Sequence, residues 1–323
     1  MSAIKIYKPI CKQTQWTIAV SQSYYLKRLL QRLFPHRFFT KISSDSGGEI
    51  LNKKNGIIKI GDITVISLID GEARLPKGVM GEVDDGHHAD LLEEDGSLTL
   101  PIGCFLVISK GKKVLIDCGM GPTSFVWEPV KGSIGKLQGG ALEGSLNDHG
   151  FSCNDIDLVL PTHLHADHIG GLVQNDKSFF PNADIAFGAG DWLLVEESPD
   201  LSFKNCIHSM REAGRVELIE NDGEVVPGIS AYATPGHTPG HTSYIISSGE
   251  SRAFILGDIL FCPLQIEFPE NEGLADMDRE LSKRTRELVL RELEGDSALV
   301  GGPHFPNLEF GRVLRGKGRR YWG

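Results

Sequence analysis

The chain has 323 residues, 40% hydrophobic and 24% charged, with a formal net charge of −10, which is ordinary globular material long enough for one large domain or two. The charge is unevenly spread: residues 1–44 carry eight Lys or Arg and no Asp or Glu, leaving 25 basic against 43 acidic side chains in the remainder. A body that acidic excludes nucleic acid as a partner, because such binding depends on neutralising phosphates.

No apolar run approaches the ~20 residues of a membrane-spanning helix. Lys5, Lys8 and Lys12 break up what would be the apolar core of a signal peptide. Within the basic segment, Leu26, Leu29, Leu30 and Leu33 recur at helical spacing around Lys27, Arg28 and Arg32, until Pro35 stops the pattern. Four readings stay open for it: a cap on the body, a partly disordered tail, a weak membrane-surface contact, or an organelle transit segment. Residues 43–48, rich in Ser and Gly, read as a linker, so 1–48 is taken as an extension and 49–323 as the folded domain. Six cysteines lie scattered without CxxC spacing. Buried thiols in a reducing compartment, hence a cytoplasmic protein, is the reading they favour.

Residues 57–60 and 63–69 predict a hairpin turning at Gly61-Asp62. From 70 to 97 the chain reads as a long polar loop carrying His87-His88, a pair expected in solvent. A second hairpin, 98–109 with 113–116, ends at Asp117-Cys118-Gly119, and 122–140 reads as another Gly-rich loop. A helix over 141–149 then leads to the apolar run 156–160. Beyond it come a strand at 185–187, a helix at 191–197 and an irregular stretch at 198–214 with His208 on the surface. Strands follow at 216–219, 225–232, 242–247 and 253–256, then a helix 277–294 capped by Asp276 and a last strand 298–300. Two successive β-then-α blocks suggest two packed sheets with helices outside.

The chemistry sits at strand ends. After the run 156–160 stands Thr162-His163-Leu164-His165-Ala166-Asp167-His168. His163 and His165, two apart, share one side of an extended segment, while Asp167 and His168 come where the chain turns into a helix. Imidazoles mixed with carboxylate suit zinc, iron or manganese. Three later strand ends carry Thr234-Pro235-Gly236-His237-Thr238-Pro239-Gly240-His241, Gly257-Asp258 and Gly302-Pro303-His304. Singly each reads as a turn; the ordered set is specific.

In that order the residues resemble the metallo-β-lactamase superfamily over roughly residues 57–316. The resemblance implies an α/β fold of the αββα sandwich type with a two-metal site at its edge. By position, one metal would take His163, His165 and His237, the other Asp167, His168 and His304, with Asp258 and a hydroxide bridging them. Asp117 and His241 would be supports, and Asp167 could also relay a proton. The cofactors implied are two divalent ions, Zn2+ first, Mn2+ or Fe2+ as alternatives. Pro303-His304-Phe305-Pro306 and Pro263-Leu264-Gln265 resemble the branch of N-acyl homoserine lactone lactonases and methyl parathion hydrolase. The activity implied is hydrolysis of a small ester, lactone or related acyl substrate, in a chain free to be a homodimer. Alternatives are thioester or organophosphate hydrolysis and, in a different class, a di-iron redox or sensor protein. The chain lacks a Gly-x-Ser-x-Gly elbow, so a serine nucleophile is not expected.

Overall fold

The computed structural model describes residues 56–80, 91–130 and 133–323. The proposed extension 1–48 and the His87-His88 pair lie outside them.

The chain opens with β1 (Ile57–Ile60), β2 (Ile63–Leu75), β3 (Leu98–Ser109), β4 (Lys112–Ile116), β5 (Ser124–Val130) and β6 (Ser133–Gln138), then helix α1 (Leu142–Asp148). Next come β7 (Leu158–Leu160), the single-turn α2 (Ala166–Ile169), the small hairpin β8 (Val173–Gln174) and β9 (Lys177–Ser178), and β10 (Asp184–Gly188). Helices α3 (Trp192–Glu196) and α4 (Leu201–Glu212) precede β11 (Val216–Ile219). Then follow β12 (Gly223–Val226), β13 (Ile229–Ala233), β14 (Thr242–Ser248) and β15 (Ser251–Ile255). The chain finishes with α5 (Leu264–Glu267), α6 (Arg279–Leu293), β16 (Leu299–Gly301) and the hairpin β17 (Val313–Gly316) and β18 (Arg319–Trp322).

One sheet runs β11-β10-β7-β4-β3-β2-β6-β5, with β1 also on β2; the other runs β12-β13-β14-β15-β16. Side-chain alternation makes the sandwich. Val65, Phe105, Val107, Val114 and Ile116 of the first sheet meet Ile229, Tyr244, Ile246 and Ile255 of the second in one buried cluster. Their neighbours Ile66, Leu68, Cys104, Leu106 and Leu115 point the other way, under Leu146 of α1 and Val195, Phe203, Ile207 and Met210 of α3 and α4. On the far side, Val289, Leu290 and Leu293 of α6 cover Phe254 and Val300. Each sheet is thus apolar on both faces, and the period of two sorts its residues between the inner core and a helical layer. The result is the expected αββα arrangement.

Several segments differ from the sequence reading. Strand β2 continues to Leu75 through a bulge between Ile69 and Gly71, so the expected loop begins later than residue 70. The bulge turns the buried Asp70 toward the backbone N–H groups of Met120, Gly121, Gly140 and Leu142, which donate to it at 2.7, 3.1, 3.0 and 3.1 Å. The expected loop at 122–140 is the hairpin β5–β6, which extends the sheet beyond β2. The stretch 198–214, expected to be irregular, holds α4, capped by Asp200 through Phe203 N–H at 3.1 Å. Its buried Phe203, Cys206, Ile207 and Met210 recur at helical spacing. The last helix begins two residues later than expected: Asp278, not Asp276, caps it by accepting from Leu281 N–H. Cys104, Cys118, Cys153, Cys206 and Cys262 are buried free thiols. No helix of the described residues is long and apolar enough to cross a membrane.

Candidate metal centre

The central strands and the turns after them converge on one edge. β4 and β7 run parallel, so Asp117, just past β4, and Thr162-His163, just past β7, emerge side by side. On the second sheet β15 and β16 are also parallel, and the turns after them carry Asp258 and His304. The loop from β13 to β14 supplies His237 and His241. All seven side chains expected as ligands therefore meet, from four separate segments.

They fall into two groups with a shared member. His163 Nε2 and His237 Nε2 each lie 2.9 Å from His165 Nδ1. His304 Nε2 lies 3.4 Å from Asp167 Oδ2, and His168 Nε2 lies 3.8 Å from Asp167 Oδ1. Between the groups, Asp258 Oδ1 is 3.4 Å from His168 Nε2 and 3.5 Å from His304 Nε2, while its Oδ2 is 3.4 Å from His237 Nε2.

The outer ring nitrogens are already engaged. His237 donates from Nδ1 to Asp276 Oδ1 at 2.9 Å, and His304 donates from Nδ1 to the Pro101 carbonyl at 2.7 Å. His168 donates from Nδ1 to Asp117 Oδ2 at 3.0 Å, and Thr162 Oγ1 lies 3.1 Å from His163 Nδ1. Carboxylate and carbonyl oxygens can only accept, so those partners of His168, His237 and His304 hold a proton on Nδ1 and turn Nε2 inward. His168 Nε2, Asp258 Oδ1 and His304 Nε2 are buried with no hydrogen-bond partner. Orphaned buried polar atoms are costly unless something binds them.

Electrostatics points the same way. Burial, with the neighbouring imidazoles, pushes His163 well down and His165 to about 3, so both rings stay neutral near pH 7. Burial opposes ionising Asp167, yet His168 and His304 hold its carboxyl at about 2. Asp258 is likewise depressed against its burial, chiefly by His168 and His304. Burial would depress His168, but Asp258, Asp117 and Asp167 together raise it. Imidazole nitrogens packed at 2.9 Å, beside the buried Asp258 and the part-buried Asp167 carboxylates, fit divalent cations bound by N and O donors.

Asp117 is fully buried in a left-handed conformation, φ 58°, uncommon for a non-glycine residue. That conformation turns the carboxylate back to accept from Thr162 N–H at 2.7 Å and from His168. His241 behaves differently from His237. Its Nδ1 pairs with Thr234 Oγ1 at 2.8 Å, and its Nε2 accepts from Asp258 N–H at 3.0 Å. One nitrogen is used within the loop and the other across to the turn of Asp258, and burial holds the ring neutral, its pKa down at about 3. His241→Ala should therefore cost about 1–3 kcal/mol through the stranded Asp258 N–H while retaining most bound metal. Metal analysis beside a melting curve checks this, and metal loss equal to that of His237→Ala would contradict it.

Three side chains at this edge escaped the sequence reading. Asp191, taken as part of an acidic helix start, is fully buried and accepts from Leu164 N–H, Thr238 Oγ1 and Gly240 N–H at 3.2, 2.9 and 2.6 Å. It ties the first histidine loop to the loop of His237, and burial pushes its carboxyl up to about 6. The approach is so close that a Cβ on Gly188 would lie 1.9 Å from the Gly240 carbonyl oxygen. Asp276, read as a helix cap, is instead the partner of His237. Arg286, 1% exposed, pairs with Asp276 and had no sequence signal beyond its place on a helix. His208 is half-exposed beside Glu196 at 3.5 Å, away from the centre.

A model of the metallo-beta-lactamase superfamily matches residues 99–304. An N-acyl homoserine lactonase from a Bacillus species is 31% identical over 214 residues, 60% of this chain and 79% of its own length. Among solved structures, the hydrolase AbOPH of the beta lactamase superfamily superposes with a TM-score of 0.70 at 22% identity, covering 83% of this chain and 96% of its own. AidC, a dizinc quorum-quenching lactonase in complex with a product homoserine, superposes with a TM-score of 0.66 at 23% identity and the same coverage. The chain belongs to the metallo-β-lactamase superfamily, and within it is a metal-dependent hydrolase.

Proposed function

We propose that the protein opens the ester bond of a small lactone, or a related acyl ester, at a centre for two divalent ions, zinc first among them. His163, His165 and His237 would hold one ion and Asp167, His168 and His304 the other, with Asp258 shared. The observation that carries this is the double aspect of Asp258, one oxygen 3.4 Å from His168 and the other 3.4 Å from His237. The likeness to N-acyl homoserine lactonase supports the lactone in particular.

Bound there, the ions supply Lewis acidity, lowering the pKa of water and polarising an acyl carbonyl. The chain's own residues do the rest. Asp117, Asp276 and the Pro101 carbonyl accept from Nδ1 of His168, His237 and His304 and so orient each ring with Nε2 toward the centre. Asp167, its side chain 17% exposed where His168 and His304 are at 0%, lies toward the opening and can take a proton and pass it to the leaving oxygen. Phe261, its ring centroid 4.3 Å from that of His304, shields the inner side from water. Residues 49–323 form the hydrolase domain in this reading. The basic segment 1–48 contributes no ligand and serves as an attachment, on an anionic membrane surface or on the acidic body.

A panel of lactones, aryl esters, thioesters and phosphotriesters tests this, run on zinc-, manganese- and iron-loaded protein with the full chain and with residues 49–323. The expected result is about two ions per chain, fastest turnover on lactones or esters, loss on chelation and recovery with added metal, in both proteins. Full activity in metal-free protein would end the reading. Faster thioester or phosphotriester turnover would move the substrate to those alternatives, and turnover lost only on truncation would redraw the domain boundary.

A further inference from the structure

Arg286 lies on α6, outside the set of proposed ligands, yet it is one of the largest fully buried side chains described. Burying a guanidinium is expensive unless every donor is met. Here each nitrogen is met. Its Nε donates to the Ile259 carbonyl at 2.8 Å, Nη1 to the carbonyls of Pro269 and Asn271 at 3.0 and 2.8 Å, and Nη2 to Asp276 Oδ2 and Ser282 Oγ, both at 3.3 Å.

Two of these contacts reach the centre by different routes. Ile259 directly follows Asp258 in the turn Gly257–Leu260, so Nε grips the backbone beside the shared carboxylate. Asp276 Oδ1 accepts from His237 Nδ1 at 2.9 Å, and its Oδ2 also accepts from Gly273 N–H at 2.9 Å. Through Asp276 the guanidinium therefore reaches the far side of the His237 ring. The two residues that lead into the same helix hold that loop by their backbone: Met277 N–H donates to the His237 carbonyl at 3.0 Å and Asp278 N–H to the Gly236 carbonyl at 3.0 Å. Thr285 Oγ1 adds a bond to the Pro235 carbonyl at 2.7 Å. The packing leaves no slack, since a Cβ on Gly236 would lie 2.3 Å from Ser282 N.

We infer that Arg286 is a positioning residue for the metal centre, holding Asp258 and His237 in mutual register and fixing the His237 ring through Asp276. This rests on the proposed two-metal reading and adds a dependence that the ligand set alone does not contain. His237 and Asp258 come from different loops after different strands, 3.4 Å apart between Nε2 and Oδ2. A shift of a few tenths of an ångström between those loops alters the donor geometry offered to one ion more than to the other. Partners of this outer kind are worth about 10–100-fold in metal affinity where they orient a ligating histidine. A buried arginine that only stabilised the fold would carry no such asymmetry.

The test compares Arg286→Met, Arg286→Lys and Asp276→Asn with the wild type. Metal affinities come from competition with a chelator, ligand geometry from the visible spectrum of the cobalt-loaded protein, and folding from a melting curve. Arg286→Met and Asp276→Asn should each weaken one of the two ions about 10–100-fold and leave the other nearly unchanged. Their effects should be less than additive in the double variant, because Asp276 carries one of the two routes by which Arg286 acts. Arg286→Lys, which returns a cation beside Asp276, should recover part of the lost affinity and move the cobalt spectrum back toward wild type. Wild-type affinity for both ions in Arg286→Met, or equal weakening of both in step with a lower melting temperature, would overturn the inference. Should Arg286→Met fail to fold, Asp276→Asn decides alone, and unchanged binding of both ions there has the same force. A wild-type protein that bound fewer than two ions would instead overturn the two-metal reading, so the two failures are distinct.

Discussion

Asp258→Ala should strip both halves of the centre and lower kcat/KM by on the order of 10^3-fold or more, since metal polarisation supplies several kcal/mol and each ~1.4 kcal/mol is tenfold. The effect is large because the residue is not replaceable from one side. Its Oδ1 faces His168 and His304 at 3.4 and 3.5 Å, and its Oδ2 faces His237 at 3.4 Å. Removing any one histidine leaves three proposed donors for the affected ion and all four for the other; removing Asp258 takes a donor from each group at once. It also leaves His168 and His304 without the carboxylate that most raises their pKa values. Metal analysis, kcat/KM and circular dichroism on the same preparation check this. Retention of one full equivalent of metal with near-normal turnover would show that the carboxylate is not shared.

What the sequence carried, and what it withheld, follows from how local each signal is. His163 and His165 are two apart in an extended stretch, so their common direction is decided by backbone geometry alone. Asp258 and His304 were readable because each follows a short apolar strand and a glycine, and parallel strands deliver their ends to the same edge. The supports are another matter. Asp276 lies 39 residues from His237 in sequence and 10 from Arg286. An Asp in front of a helical run looks locally like a cap. Asp278, two positions on, takes that place. Asp191 joins loops 27 and 49 residues away, and no periodicity marks such a residue. The helix α4 is a different case. Asp200 as cap and Phe203, Cys206, Ile207 and Met210 at helical spacing are present in the sequence, so this helix is legible from local pattern alone. The hairpin β5–β6 was hidden by its glycines, because its pairing with β2 across Glu72–Arg74 is set by tertiary contact rather than by propensity.

The largest effect on stability should come from a residue outside the proposed ligand set. Asp70→Ala is expected to cost about 3–5 kcal/mol, a sizeable share of the ~5–15 kcal/mol that holds a typical domain together. One carboxylate collects four backbone N–H groups, from Met120, Gly121, Gly140 and Leu142. Alanine would leave them facing a buried gap, at about 1–3 kcal/mol for each that water does not reach. The adjoining Gly119 and Gly139, which pack so closely that a Cβ on either would come within 2.4 Å of the Asp70 side chain, have no side chain of their own to fill the gap. The consequence also reaches the centre. The turn through Met120 and Gly121 follows Asp117, and Cys118 N–H donates to the His168 carbonyl at 2.7 Å. Loosening the turn should therefore weaken metal binding as well as the fold. Asp70→Asn is the sharper probe, since it keeps the size but turns half of the acceptor into a donor facing N–H groups, and it too should lose more than about 2 kcal/mol. Urea unfolding of both variants, with metal content measured alongside, reads the two effects separately. A loss below about 1 kcal/mol in Asp70→Ala would mean that water satisfies the four donors and that the carboxylate is not what holds the turn.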